Sequence, residues 1–243
     1  MIILVTGKIC ILLFGMFLSQ ADFEQDVIYT SEGDLKITFI GHGTLMMEFK
    51  GKTIHIDPVG NYANYAKLPK ADLILITHQH GDHLDTKTVD LLHKSSTELV
   101  LTRLCHDQYP KGKVMKNGDS AVHAGIKIEA VPAYNIKHMR SGNIPYHPKG
   151  EGNGYILHFG DKIIYIAGDT EIIPEMANLK NIDIAFLPMN LPYTMTPEMV
   201  AEAAKMFKPA ILYPYHYGNT DTNLLLNLMK TQSETEVRIR KMQ

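Results

Sequence analysis

Residues 73–83 read LILITHQHGDH, and this stretch decides the fold prediction because an apolar run passes directly into a cluster of polar side chains. Residues 73–76 are uninterrupted apolar sequence, which is typical of a central strand that is covered on both faces. The polar half holds His78, His80, Asp82 and His83 within six positions. Such a concentration of imidazoles and a carboxylate at the end of a buried strand indicates a metal site.

The spacing of these side chains predicts two adjacent ions. Residues two apart in an extended segment point to the same side, so His78 and His80 converge beyond the strand end. Gly81 permits a sharp change of direction, and Asp82 and His83 leave the turn on another heading. We expect one or two divalent ions, with zinc as the first choice and manganese, iron, cobalt or nickel as alternatives. A solvated polar loop is the competing interpretation.

Two further strands end in a potential ligand. Residues 163–169 read IIYIAGD, and residues 210–216 read AILYPYH. Open sheets build their sites at the carboxyl ends of strands, so we expect Asp169 and His216 to join the cluster. Taken alone, each has a simpler interpretation, as a turn aspartate or as a partly buried histidine.

The order of the remaining segments predicts antiparallel meanders alternating with strand–helix units. Meanders are predicted over residues 35–57 and 155–167, and helices over residues 86–94, 103–108, 197–207 and 222–230. This alternation predicts an α/β fold, which some schemes class as α+β, with sheets packed together and helices outside. No linker divides the chain, so residues 22–243 are predicted to form one domain.

Residues 1–21, MIILVTGKICILLFGMFLSQA, resemble a cleaved export signal. Residues 9–18 form an apolar block of the length of a signal-peptide core, and residues 19–21 fit a small-x-small cleavage pattern. The block is too short to span a bilayer comfortably, so no stable membrane insertion is predicted. We expect an exported, periplasmic protein; a cytoplasmic location follows if this segment is instead a buried part of the fold.

The composition narrows the class of partner. The 24 Lys and Arg residues against 26 Asp and Glu residues give a formal net charge of -2. Bulk charge therefore does not predict a nucleic-acid partner, and we expect a small-molecule substrate. The oligomeric state is left open. The two cysteines, Cys10 and Cys105, do not suggest a disulfide framework, and Cys105 is interpreted as a packed thiol.

The set THQHGDH, GDT and HYG, preceded by GHGT and IDP, resembles the metallo-β-lactamase superfamily. It is most similar to the branch of small metal-dependent hydrolases that includes ascorbate-phosphate lactonase and the phospholipase D acting on N-acyl-phosphatidylethanolamine. The resemblance covers residues 35–218 and implies a four-layer αββα sandwich with the site along one edge. It also implies a division of the ligands: His78 and His80 on the first ion, Asp82, His83 and His216 on the second, and Asp169 on both.

Asp57 follows the segment IHI and matches a superfamily aspartate that supports the site. Such a carboxylate orients a ligating imidazole rather than binding metal itself. The alternative is a turn residue that ends a strand before Pro58.

One expected ligand departs from the superfamily pattern. The superfamily usually supplies a third histidine to the first ion from the loop between the two halves of the chain. Here residues 131–135 read VPAYN, and Asn135 stands where that histidine is expected. We expect Asn135 to line the site without strong ligation. His147 and then His138, in the same loop, are the alternatives for the third ligand.

The ligand pattern predicts a metal-dependent hydrolase of a small ester, lactone or phosphoester. Two close divalent ions lower the pKa of a shared water, which then attacks a carbonyl or phosphoryl centre. Asp82 or Asp169 is expected to accept and pass on a proton as the catalytic carboxylate. Candidate substrate contacts lie in loops near the inferred edge: His42, Tyr134, His147, Tyr193 and Tyr217. Packed aromatic rings and surface histidines are the competing interpretation for these residues.

Two other functions stay open at this point. One is a nuclease or phosphodiesterase of the same superfamily, against which the net charge of -2 and the lack of a basic patch in the sequence argue. The other is a metal-binding protein without turnover, which Asn135 makes plausible. Two bound ions with an open water position favour hydrolysis, whereas one fully coordinated ion favours the binding protein.

Overall fold

Two seven-stranded sheets form the centre of the molecule in this computed structural model, which describes residues 23–242. The strands in chain order are β1 (Gln25–Thr30), β2 (Gly33–Gly41), β3 (Thr44–Phe49), β4 (Lys52–Ile56), β5 (Leu73–Leu75), β6 (Glu98–Leu101), β7 (Lys113–Val114), β8 (Ser120–His123), β9 (Ile126–Ala133), β10 (Met139–Arg140), β11 (Ile144–Pro145), β12 (Gly152–Phe159), β13 (Lys162–Ile166), β14 (Ile184–Pro188), β15 (Ile211–Tyr215) and β16 (Glu236–Val237). The α-helices are α1 (Thr86–Leu92), α2 (Arg103–Gln108), α3 (Pro197–Phe207) and α4 (Thr222–Met229). Short 3-10 turns lie at Tyr65–Lys67, Ser141–Asn143 and Pro174–Asn178.

Each large sheet combines an antiparallel half with a parallel half. The first sheet has the order β1-β2-β3-β4-β5-β6-β7, antiparallel as far as β4 and parallel beyond it. The second has the order β16-β15-β14-β13-β12-β9-β8, parallel from β13 to β16 and antiparallel elsewhere. Strands β10 and β11 form a separate hairpin. Meanders therefore build the antiparallel halves, and strand–helix units build the parallel halves, as predicted.

Strand β5 shows how the layers are stacked. Leu73 and Leu75 belong to the apolar core between the two sheets. Ile74 points the other way, into a second apolar cluster with Val89 of α1 and Cys105 of α2. Because successive side chains of a strand point to opposite faces, β5 is covered on both sides, which explains its unbroken apolar sequence.

Helices α3 and α4 cover the outer face of the second sheet. The ring of Phe207, at the end of α3, packs edge-on against Tyr165 of β13, with centroids 5.8 Å apart. Leu225 of α4 is fully buried in the same core. With α1 and α2 on the other side, the layers are helix, sheet, sheet and helix. The predicted α/β fold with two packed sheets and outer helices is confirmed.

The helix starts follow local capping chemistry. The carboxylate of Asp85 caps α1 by accepting the backbone N–H groups of Lys87 and Thr88 at 3.1 and 3.3 Å. Thr196 caps α3 by accepting the N–H of Met199 at 3.2 Å. The Asp85 cap starts α1 directly after the polar half of residues 73–83.

Some of the structure differs from the sequence prediction. Strand β1 was not predicted, because only Ile28 is buried in it while Val27 and Tyr29 are exposed. It lies at the edge of the sheet, where pairing with β2 rather than an apolar pattern specifies a strand. The segment between β9 and β12, for which no regular structure was predicted, contains the β10–β11 hairpin. The proposed export signal at residues 1–21 lies outside the described residues. Within residues 23–242, no helix is long and apolar enough to cross a bilayer.

Candidate metal centre

The ends of four strands bring the candidate ligands to one edge of the two sheets. Residues 78–83 follow β5 of the first sheet, and His42 lies in the β2–β3 turn beside them. From the second sheet, Asp169 follows β13 and His216 follows β15. The predicted meeting of strand ends therefore occurs across the interface between both sheets.

The potential ligand atoms fall into three overlapping groups. Within each group, one nitrogen or oxygen atom of every residue lies within 4.8 Å of the others. The groups are His78, His80 and His147; His42, Asp82, His83 and His216; and His78, His83 and Asp169. The third group connects the first two, so the arrangement has two lobes joined at a shared carboxylate.

Asp169 occupies the centre of this arrangement. Its Oδ2 atom lies 3.2 Å from Nε2 of His147, 3.4 Å from Nε2 of His216 and 3.9 Å from Nε2 of His78. Its Oδ1 atom lies 3.4 Å from Nε2 of His83. One carboxylate thus faces imidazoles of both lobes, as expected of a bridging ligand.

Several atoms of the cluster are buried without a hydrogen-bond partner among residues 23–242. They are Nε2 of His83, His147 and His216 and Oδ1 of Asp169. An unpaired buried polar group costs about 1–3 kcal/mol, so four of them in one place need an explanation. Divalent cations bound in the two lobes would satisfy these atoms, and the imidazole and carboxylate donors match those of zinc and similar metals. The residues present therefore fit a metal centre.

Asp57 fixes the orientation of His83. Its Oδ2 atom lies 2.8 Å from Nδ1 of His83, and the Thr77 backbone N–H and hydroxyl donate to the same carboxylate at 2.8 and 2.6 Å. Nδ1 of His83 therefore carries a proton in either charge state of the ring, and Nε2 turns toward Asp169. Asp57 is fully buried behind the cluster, in the supporting position that its match to the superfamily implied.

The loop between β9 and β12 supplies His147 rather than Asn135 to the first lobe. The ring of His147 lies 5.0 Å from that of His78 and 4.9 Å from that of His80. The Oδ1 atom of Asn135 accepts the backbone N–H of His147 at 3.0 Å and lies 2.6 Å from its Nδ1 atom. Hydrogen bonds occupy the amide of Asn135, and His138 lies instead against Glu171, with Nδ1 2.5 Å from Oε1. The order of the three loop candidates changes, and His147 moves to the front.

Three residues of the site adopt a left-handed backbone that is uncommon outside glycine. The angle φ is 53° at His42, 44° at Asp57 and 49° at His216. Such conformations cost about 1–3 kcal/mol each and persist only where the surroundings over-determine them. The backbone N–H of His216 donates to the carbonyl of His42 at 2.9 Å, which joins the two sheets directly at the site.

Glycine is required at some turns of the site and not at others. A Cβ atom on Gly43 would lie 2.8 Å from Cε1 of His83, so this position must stay empty. Gly168 has φ at 65°, and a Cβ there would lie 2.7 Å from the carbonyl oxygen of Asn153. Gly81, expected to permit the change of direction, does not require glycine, because its φ lies outside the left-handed region and nothing lies within 4 Å of a Cβ there.

The charges of the cluster support one another. Burial opposes the charge on Asp169, but the neighbouring His216 and His83 hold the pKa of its carboxyl well below the ordinary value. Burial also opposes the charge on His83, but Asp169 and Asp57 raise its pKa to about 9. By contrast, burial and then the nearby His83 lower the pKa of His78 well below its ordinary value. His78 is thereby kept neutral, the form in which imidazole binds metal.

A cleft of about 470 Å³ opens onto the cluster. Its floor is formed by potential ligands, and its walls include Arg140, Tyr146, Asn190 and Tyr193. The rings of Tyr146 and Tyr193 meet edge to face at 5.1 Å. Of the predicted substrate contacts, His42, His147 and Tyr193 line this cleft.

Other predicted contacts point elsewhere. The hydroxyl of Tyr134 donates to Glu175 at 2.9 Å, and that of Tyr217 donates to the carbonyl of Arg240 at 2.6 Å. Neither residue lines the cleft. Sequence reasoning missed Arg140, Tyr146 and Asn190, which carry no motif of their own. It also missed Glu171, although this residue directly follows the GDT segment.

Comparisons with known proteins place the chain in a family. The sequence pattern of the beta-lactamase superfamily domain matches residues 36–216. The chain belongs to the beta-lactamase superfamily. Its curated relatives include a UPF0173 metal-dependent hydrolase of Pelotomaculum thermopropionicum, which is 34% identical over 195 residues that cover 76% of this chain and 85% of the relative.

Two solved structures of metal-dependent or metallo hydrolases are similar to this chain. A crystal structure from Parabacteroides distasonis, described as a candidate metal-dependent hydrolase, is 52% identical and has a TM-score of 0.87. The match covers 91% of this chain and 100% of that one. Igni18, a metallo hydrolase of Ignicoccus hospitalis, is 24% identical with a TM-score of 0.69 over 86% of this chain and 96% of that one, and it shows the fold alone. The predicted superfamily and the predicted class of metal-dependent hydrolase are confirmed.

Proposed function

We propose that this beta-lactamase superfamily protein hydrolyses an ester, lactone or phosphoester bond in a small substrate at a centre of two divalent metal ions. The observation that carries the proposal is the position of Asp169 between two histidine lobes, with unpaired buried nitrogens on both sides and an open cleft above. Zinc suits this donor set, and manganese, iron, cobalt or nickel would also be accepted.

The ligands divide into two sets that share one carboxylate. The first ion would be held by His78, His80 and His147, the second by Asp82, His83 and His216, and Asp169 would contact both. His42 belongs to the second group by distance, with Nε2 3.2 Å from Oδ2 of Asp82. When bound, such ions lower the pKa of water and polarise the oxygen on which charge develops.

Asp82 is the better suited of the two candidate proton carriers. Its side chain is 45% exposed at the cleft, whereas that of Asp169 is 3% exposed. A carboxylate that receives a proton during turnover must return it to solvent, and only Asp82 has that access. Burial opposes its charge, but His216 and His42 hold the pKa of Asp82 well below its ordinary value, which keeps the carboxylate ionised and able to hold a transferred proton only briefly. Because of its access to solvent, we assign proton transfer to Asp82, with Nε2 of His42, 3.2 Å from Oδ2, as its neighbour in the relay.

The walls of the cleft favour a substrate with an anionic group and a flat or apolar portion. Arg140 is the only lysine or arginine that lines the cleft among the described residues. One Nη atom of Arg140 donates to the carbonyl of Tyr146 at 2.6 Å, which holds the guanidinium at the rim. Tyr146 and Tyr193 offer ring surface and hydroxyl groups beside it. The volume of about 470 Å³ suits a small molecule better than a nucleic-acid strand.

The proposal is tested by metal analysis of protein purified without added metal, followed by a panel of ester, lactone and phosphodiester substrates. The variants His80→Ala and Asp169→Ala should lose metal and hydrolysis together while the far-UV circular dichroism spectrum stays unchanged. His93→Ala, which removes an exposed histidine at the end of α1, is the matched control. Full metal content and activity in both site variants would refute the assignment.

A further inference from the structure

Glu171 is a fully buried carboxylate two residues beyond Asp169, and none of the proposed metal sets uses it. Its Oε2 atom accepts the backbone N–H groups of Ile136 and Lys137 at 2.8 and 2.7 Å, and Oε1 accepts that of His138 at 2.6 Å. Burial opposes its charge, but these backbone N–H groups lower the pKa of Glu171 below its ordinary value. A buried carboxylate is therefore held by three consecutive N–H groups of the loop that begins at Asn135.

The same carboxylate contacts the amide of Asn135. Nδ2 of Asn135 donates to Oε1 of Glu171 at 3.1 Å and to the backbone carbonyl of Tyr193 at 2.9 Å. Both of these partners are acceptors only, whereas the backbone N–H of His147, 3.0 Å from the other end of the amide, is a donor only. The surroundings thus leave one orientation for Asn135, with Oδ1 toward His147.

This orientation determines the state of the His147 ring. Nδ1 of His147 lies 2.6 Å from the Asn135 oxygen, which can only accept, so Nδ1 carries the proton. In the neutral ring the lone pair is therefore on Nε2, which points at the cluster, 3.2 Å from Oδ2 of Asp169. Asp57 contacts Nδ1 of His83 directly. For His147, by contrast, the Asn135 amide lies between the imidazole and the Glu171 carboxylate.

We propose that Glu171, acting through Asn135, sets the tautomer and orientation of His147 and is a positioning residue for the first half of the metal centre. The inference rests on the proposed function for the role of His147, whereas the hydrogen-bonded chain itself is made of protein groups alone. Because the Asn135 amide also holds the carbonyl of Tyr193, the same chain connects the first lobe to the wall of the cleft.

The first test is histidine ¹⁵N nuclear magnetic resonance on metal-free wild-type protein. The chemical shifts of the His147 ring should report the Nδ1–H tautomer, and Glu171→Gln should shift the ring toward a mixture of tautomers. An Nε2–H tautomer in the wild-type protein would overturn the proposal, whether or not any variant folds. This measurement needs no bound metal, so its outcome is separate from that of the proposed function.

The second test is metal titration of Glu171→Gln and Asn135→Ala. Partners that orient a ligating histidine typically contribute about 10–100-fold to metal affinity, so the affinity of one of the two binding steps should fall by that factor while that of the other stays unchanged. Glu175→Gln is the matched control, because this carboxylate binds Tyr134 and Lys149 at 2.9 and 2.7 Å rather than Asn135. Wild-type affinity at both steps in Glu171→Gln would overturn the proposal. A wild-type protein that binds no metal would instead refute the proposed function. The tautomer measurement alone would then decide the proposal on Glu171.

Discussion

Nδ1 of His147 lies 2.6 Å from Oδ1 of Asn135, so the asparagine at the expected ligand position holds the ring of a histidine that arrives from twelve residues further along the chain. The departure from the superfamily pattern is therefore compensated within one loop. The imidazole of His147 completes a group with His78 and His80. The amide at the position of the expected histidine thus orients the imidazole that lies beside His78 and His80.

We predict that His147→Ala removes one of two bound ions and leaves the other. The first lobe then retains only His78 and His80 besides the shared Asp169, whereas the second lobe keeps all its groups. Elemental analysis after dialysis should fall from two ions per chain toward one. His158→Ala, which removes a histidine paired with Glu129 away from the cluster, should keep both ions. Equal loss of both ions in His147→Ala would contradict a separate first site.

Replacement of Asp57 should lower both the affinity for the second ion and the stability of the fold. In Asp57→Ala the Nδ1–H of His83 loses its acceptor, and metal affinity should fall by about 10–100-fold. The buried backbone N–H of Thr77 also loses its partner, which destabilises the protein by about 1–3 kcal/mol. Metal titration and urea unfolding of metal-free protein measure the two effects. Affinity equal to that of wild type would show that Asp57 does not orient His83.

Substitution by alanine should impair metal binding at one glycine of the site and leave it unchanged at another. In Gly43→Ala the new Cβ lies 2.8 Å from Cε1 of His83, so the ring must move and the second ion should bind more weakly. In Gly81→Ala the new Cβ meets nothing within 4 Å, and metal content should stay at the wild-type level. Elemental analysis of the two variants side by side tests this. Tolerance at position 43 together with loss at position 81 would reverse the structural argument.

Local sequence was sufficient for the strand ends and insufficient for the loop between β9 and β12. Residues 73–83 predicted a buried strand and its polar exit because β5 is covered on both faces. Asp169 and His216 could be placed because each directly follows an apolar strand. The position of His147 could not, because the loop is closed by contacts such as Ile136 to Glu171, which are 35 residues apart. Edge strand β1 was missed for a similar reason, since long-range pairing rather than burial specifies it.

The stability of metal-free protein should depend on His55 between about pH 6.5 and pH 4. Burial lowers the pKa of His55 from 6.5 to about 4, although the Pro69 carbonyl, 3.0 Å from Nε2, opposes this shift. The unfolded chain therefore takes up a proton first as the pH falls, so the stabilisation is complete above pH 6.5 and is lost on the way down to pH 4. The loss attributable to this residue is at most about 3 kcal/mol.

The variant His55→Phe isolates this effect. Urea unfolding of both proteins with a chelator present should show a smaller loss of stability in the variant across this pH range. The other histidines titrate in both proteins and cancel in the comparison. Parallel losses in the two proteins would exclude His55 as the source.

Arg140 should discriminate between charged and neutral substrates. Its guanidinium lines the cleft, and a charge-assisted hydrogen bond to an anionic group contributes about 1.5–3 kcal/mol. In Arg140→Met the KM for a carboxylate-bearing aryl ester should therefore rise by about tenfold or more. The KM for the neutral ester of the same alcohol should stay constant. An equal change in KM for both esters would mean that Arg140 shapes the cleft without discriminating between charged and neutral substrates.

We propose a two-ion centre whose first ion depends on His147, and anomalous X-ray diffraction would locate both ions in one experiment. Crystals of protein purified without added metal should be measured at the absorption edges of zinc, iron and manganese. We expect two anomalous peaks, the first in contact with His78, His80 and His147, the second with Asp82, His83 and His216, and both with Asp169. A single peak, or a first peak without contact to His147, would contradict it.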